Sequence, residues 1–112
     1  MDYETLESFR RRLYLLRASL MERRQHALAD DAELLAEREP DWEDAAAAES
    51  AATVLESLSE SERVYLDRIR ASLDRIAAGT YGTCAACGEE IDDERLLAVP
   101  ETDRCGRCAP AH

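Results

Sequence analysis

Four cysteines carry the most distinctive chemistry in this chain. They fall into two pairs, Cys84-Ala-Ala-Cys87 and Cys105-Gly-Arg-Cys108, with seventeen residues between them. Two residues between cysteines let one tight turn present both sulfurs to the same point. Two such turns joined by a short loop supply the four corners of a tetrahedron, the geometry that zinc takes with thiolates. Four protein ligands close the coordination shell and leave no position for water or substrate, so the expected ion is a single structural zinc. Free or redox-active thiols are the lesser reading of the same residues, and a four-thiolate iron site is a further one. No other catalytic grouping accompanies the cysteines. His26 and His112 are isolated, one in a charged helical stretch and one at the end of the sequence, and both read as solvent-exposed. The expectation is a protein that is not an enzyme.

Composition narrows the partners. The net charge is -11, and all fourteen basic residues are arginine. Without lysine there is neither Schiff-base chemistry nor a P-loop phosphate ligand. An acidic surface repels duplex phosphates, so sequence-specific DNA binding is not expected, and a basic protein surface is the better counterpart. No apolar run reaches the ~20 residues that span a bilayer, and the first residues show no export pattern. The reading is a cytoplasmic protein without membrane contact. In a reducing cytosol, paired Cys-x-x-Cys turns favour metal over disulfides.

The elements that must position the cysteines are helices. Leu6, Phe9, Leu13, Leu16 and Leu20 recur at steps of three and four, the stripe of a helix packed on one partner. Beyond Leu20 the stripe weakens through Ala27, Leu28, Leu34 and Leu35, and Pro40 ends the stretch. A second helical pattern runs from there to Ala78, with Leu55, Leu58, Tyr65, Ile69 and Ile76 on one face and Glu62 intruding, before Gly79 stops it. Two stripes of similar length joined by a few residues must fold back antiparallel. The predicted fold is therefore mainly α: an antiparallel coiled-coil hairpin over residues 1–79, its tip near 38–46, on a small C-terminal four-cysteine zinc module over 80–112. Each arm of some 35 residues would reach about 50 Å. At the tip, Asp41 and Asp44 suit a helix start, one as cap and one as the acidic residue three positions on. Trp42 reads either as a staple on that helix or as an exposed contact.

The run from Tyr81-Gly-Thr-Cys84-Ala-Ala-Cys87-Gly88, through Arg95-Leu96 and Pro100, to Cys105-Gly-Arg-Cys108, behind a helical hairpin, resembles the DksA/TraR C4-type zinc-finger proteins. The resemblance extends over nearly the whole chain. It implies a bacterial, monomeric transcription regulator of the stringent-response type, whose partner is RNA polymerase and whose hairpin enters the polymerase secondary channel to modulate initiation. It assigns the active-centre tip to Asp41, Asp44 and Ala46, which stand in the family's Asp-x-x-Asp-x-Ala pattern. It assigns Arg68 a nucleotide or polymerase contact. The family's other two basic positions for guanosine tetraphosphate are occupied here by Val99 and Ala109, so a weak or absent response to that nucleotide is expected. Because few residues follow Cys108 in the sequence, a counterpart of the C-terminal helix of longer members is not expected, and neither is the grip on polymerase that it provides. Two other functions fit the same residues: a zinc-stabilised coiled-coil adaptor for a different protein, and a thiol or zinc sensor.

Overall fold

The computed structural model describes residues 1–38 and 51–109, with 31–38 described by backbone alone. Four helices are present among them: α1 (Tyr3–Arg38), α2 (Ala51–Ser57), α3 (Glu60–Ala78) and the short α4 (Asp93–Ala98). An isolated antiparallel bridge, Thr83 to Glu90, is the extent of β-structure among the described residues. None of the helices described is long and apolar enough to cross a membrane. The tip residues Asp41, Trp42, Asp44 and Ala46 lie outside the described residues, as does His112.

The chain packs as two compact units. The first comprises Met1–Leu15 and Tyr65–His112. In it the start of α1 and most of α3 run beside each other with Phe9, Leu13, Leu66 and Ile69 buried. Asp2 caps α1: its carboxylate accepts from the Thr5 amide at 2.8 Å, and the Thr5 side chain, together with that amide, holds the carboxyl below its ordinary range. Gly79 closes α3 at φ +79°, with its own amide on the Ile76 carbonyl and the Thr80 amide on the Arg75 carbonyl. These are the two bonds of a Schellman end, and they need the left-handed backbone that glycine tolerates.

Tyr81 ties this helical pair to the cysteine module. Its ring lies 5.6 Å from that of Phe9, and its hydroxyl donates to the Pro100 carbonyl at 2.9 Å. Burial pushes the phenol up to about 12. Arg75 of α3 adds a second tie, donating to Ser72 Oγ at 2.8 Å and to the Thr102 carbonyl at 3.3 Å.

The second unit comprises Leu16–Val64. Among its described residues Leu20, Val54 and Leu58 are the buried apolar ones, and Arg24 of α1 donates to the Ser57 carbonyl at the end of α2 at 3.0 Å. His26 is exposed, 3.8 Å from Glu22, as the sequence suggests.

Two details depart from the sequence expectation. The second helical segment is not continuous to Ala78, because it breaks at Leu58–Ser59. Ser59 starts α3 with a capping box: its Oγ accepts from the Glu62 amide at 3.2 Å, and the Glu62 carboxylate accepts from the Ser59 amide at 3.0 Å. Glu62, an intrusion on the apolar stripe, is thus a cap. The break also changes which residues face inward. Leu58 and Ile69 are buried as expected, but Val54, Leu66 and Ser72 join them, while Leu55, Tyr65 and Ile76 are only half-buried.

Candidate metal centre

The first cysteine pair sits on a tight hairpin. The Ile91 amide donates to the Gly82 carbonyl, and the Cys84 amide donates to the Glu89 carbonyl, each at 2.8 Å. Between them the chain turns at Gly88, φ +78°, whose amide donates back to the Cys84 carbonyl at 2.9 Å. That conformation lets Cys84 and Cys87 face the same side of the turn. The second pair forms a matching turn, with the amides of Cys108 and Ala109 both on the Cys105 carbonyl. A bond from the Ala85 amide to the Asp103 carbonyl, 2.7 Å, fastens one turn to the other. α4 fills the loop between them and buries Leu96 completely.

The result is four sulfurs within 4.8 Å of one another. Cys87 and Cys105 stand 3.8 Å apart. That is far beyond a disulfide bond of about 2.05 Å. It equals the edge of a tetrahedron whose centre lies about 2.3 Å from each corner, about 3.8 Å, the zinc–thiolate distance. The donor set fits zinc electrostatically too. Backbone amides, first that of Cys105 and then those of Cys87 and Ala86, draw the Cys84 thiol down to about 6. Cys108 is pushed up to about 12, first by the side chain of Cys105 and then by those of Cys87 and Cys84. Four thiolates crowded together oppose full ionisation, and a divalent cation removes that opposition. The four cysteines therefore form a site for one zinc ion with a closed, structural coordination shell.

Residues 79–112 match the model of the prokaryotic DksA/TraR C4-type zinc finger. Likeness to solved structures extends this beyond the finger. The DnaK suppressor protein of Agrobacterium tumefaciens is 39% identical, with 91% of this chain and 88% of that one covered and a TM-score of 0.58. The chain belongs to the DksA/TraR C4-type zinc-finger family. A second family structure, transcription factor DksA2 of Pseudomonas aeruginosa, is 29% identical with a TM-score of 0.61, covering 93% of this chain and 79% of that one. Among curated relatives, the RNA polymerase-binding transcription factor DksA of Haemophilus influenzae is 40% identical over 47 residues, which are 42% of this chain and 32% of that protein.

The first unit also carries a cleft. Arg68, Val99 and Ala109, far apart in sequence, line one cleft of about 610 Å³ with Arg95, Thr102 and Arg104, and with the acidic Glu101 and Asp103. Nothing in the sequence marks Arg95 for a role in this cleft. Its Nε donates to the Arg104 carbonyl at 2.8 Å and its Nη2 to Thr102 Oγ1 at 3.4 Å, so it braces the loop that forms the cleft wall. Only the fold brings these residues together, and no spacing rule announces the bond. Arg104 lies 3.9 Å from Asp103.

Proposed function

We propose that this protein is a cytoplasmic, monomeric, non-enzymatic regulator that binds RNA polymerase and modulates initiation by placing Asp41, Asp44 and Ala46 in the secondary channel. The observation that carries the reading is likeness over 93% of the chain to a transcription factor structure. The name of the Haemophilus relative supplies the partner. The closed four-thiolate centre agrees with this reading, since it holds a scaffold and offers no position for substrate. In this reading residues 80–112 are the anchoring module and residues 1–79 the probe. Binding to core polymerase in a pull-down, lost on addition of another secondary-channel factor, is the expected result. Capture that such a competitor leaves untouched would place the protein elsewhere on polymerase, and failure to capture core polymerase would remove the proposal.

The cleft bears on guanosine tetraphosphate. A nucleotide with several negative charges needs cationic donors, and Val99 and Ala109 supply none where the family resemblance expects them. Arg95 is committed to the loop, and Glu101 and Asp103 add opposing charge. Each missing charge-assisted bond is worth about 1.5–3 kcal/mol, so losing two weakens nucleotide affinity by about two orders of magnitude or more. The nucleotide is therefore expected to leave this protein's effect nearly unchanged in transcription reactions with polymerase lacking any other nucleotide site. Val99→Arg with Ala109→Lys should introduce a response. Strong enhancement of the unaltered protein at micromolar nucleotide would mean that Arg68 and Arg104 suffice.

A further inference from the structure

The break between α2 and α3 has an unusual cause. Sharp interruptions of a helix ordinarily occur at proline or glycine, or where a side chain inserts into the ladder of backbone bonds. Residues 51–78 contain neither proline nor glycine. Side chains alone hold the interruption. A continuous helix would use the carbonyls of Glu56, Ser57 and Leu58 to accept from the amides of Glu60, Ser61 and Glu62. In the structure each of those carbonyls accepts from an arginine instead. Arg63 Nη2 donates to Glu56 at 3.1 Å, Arg24 Nη2 to Ser57 at 3.0 Å, and Arg63 Nε to Leu58 at 3.2 Å. On the other side, the Ser59–Glu62 capping box satisfies the amides of both its residues. The regular ladder resumes with the Arg63 amide on the Ser59 carbonyl at 2.9 Å.

This arrangement also carries a cost. Arg24 Nε is buried and, among the described residues, has no hydrogen-bond partner. The Glu62 carboxylate feels the charge of Arg24 but is occupied with the Ser59 amide. If the helix closed, Glu62 would leave the cap and return to the inward stripe where the sequence spacing puts it. There it would be free to pair with Arg24. Arg24 and Glu62 thus have partners in both arrangements, whereas Ser59 and Arg63 support the open one alone.

We propose that Leu58–Ser59 is a two-state hinge, held open by Arg63 and Arg24 on the released carbonyls and by the Ser59–Glu62 box, and able to close into one continuous helix in which Glu62 pairs with Arg24. Opening or closing it re-aims α2 against the first turn of α3. The hinge needs no proline isomerisation, because the groups that exchange hydrogen-bond partners are polar side chains and backbone carbonyls.

Nuclear magnetic resonance of the zinc-loaded full chain tests this directly through Cα shifts at Leu58 and Ser59 and hydrogen exchange at the amides of 60–62. The unaltered protein should show non-helical shifts at 58–59 and fast exchange at Glu60 and Ser61. Ser59→Ala with Arg63→Met removes supports of the open state only, at exposed positions, and leaves Arg24 and Glu62 in place. It should move both shifts to helical values and slow exchange at 60–62 by about tenfold or more, the signature of backbone bonds newly formed. Glu60→Pro does the reverse. Proline suits the first position of a helix but cannot sit inside a continuous one, so this variant should keep the open-state shifts and full zinc content. Helical shifts at 58–59 in the unaltered protein would overturn the proposal, as would a break that persists in Ser59→Ala/Arg63→Met. Loss of the native spectrum in Glu60→Pro would do so as well.

Discussion

Removing the zinc, or replacing Cys105 by serine, is expected to dissolve the ordered structure of residues 80–109. The module has little else to hold it. Its core is Tyr81, Ile91, Leu96, Pro100 and the two buried cysteines, with one short helix and one isolated bridge. So few apolar residues do not offset the entropy of ordering the loop that joins the cysteine pairs. Structural zinc sites contribute about 10–16 kcal/mol of apparent binding free energy near neutral pH, and here that energy is folding energy. The expected measurements are one zinc per chain in the intact protein and, after chelation, lost exchange protection at the amides of Cys84 and Ile91, which close the first hairpin, and of Ala85, which fastens it to the second turn. The dependence on pH has a definite sign. Without metal, Cys108 stays protonated until about 12 while Cys84 ionises near 6. Zinc uptake at neutral pH therefore expels protons, and affinity for zinc must fall as the solution is acidified. A Cys105→Ser variant that retained full metal content and the same protected amides would contradict the assignment.

The metal centre was legible in the sequence because its geometry is local: each pair of ligands lies within one turn, and the spacing alone states the chemistry. Much of the helical pairing was legible for a similar reason, since Phe9, Leu13 and Leu20 repeat with the period of a buried stripe and are buried. Reading failed where two local signals competed. Ser59-x-x-Glu62 is a capping-box pattern in plain view, yet the apolar spacing on either side of it reads as one helix. The capping box prevails with help from Arg24, a residue 33 positions from its acceptor. Such a partner has no signature in the sequence. The same holds for Arg95 and the cleft wall, whose bonds to Thr102 and Arg104 depend on a loop path fixed by the metal turns. Ser72, fully buried among larger residues, escaped for another reason. It is polar, and its burial is satisfied by Arg75, one turn along α3.

The largest functional effect is expected from Asp44→Asn, and the choice of asparagine separates two roles of the carboxylate. As the acidic residue three positions after Asp41, Asp44 suits the first turn of a helix, where a neutral amide still offers an oxygen and sacrifices only a modest interaction with the helix dipole, about 0.3–1 kcal/mol. Asp44→Asn should therefore leave helix content, zinc content and thermal unfolding nearly unchanged. In the proposed function, however, the same charge is presented to the polymerase active centre at the end of an arm that its sequence length puts at about 50 Å. A charge-assisted contact made there would be worth about 1.5–3 kcal/mol. The regulatory effect on a responsive promoter should fall by about ten- to hundredfold. Affinity for polymerase should change by no more than about threefold, because the base and the flanks of the hairpin, which hold the protein in place, are untouched. Cys105→Ser offers the opposite pattern, losing binding and regulation together. The decisive measurement is in vitro transcription alongside direct binding for both variants. If Asp44→Asn regulates as well as the unaltered protein, the carboxylate does no more than begin a helix, and the tip assignment of Asp41, Asp44 and Ala46 fails with it.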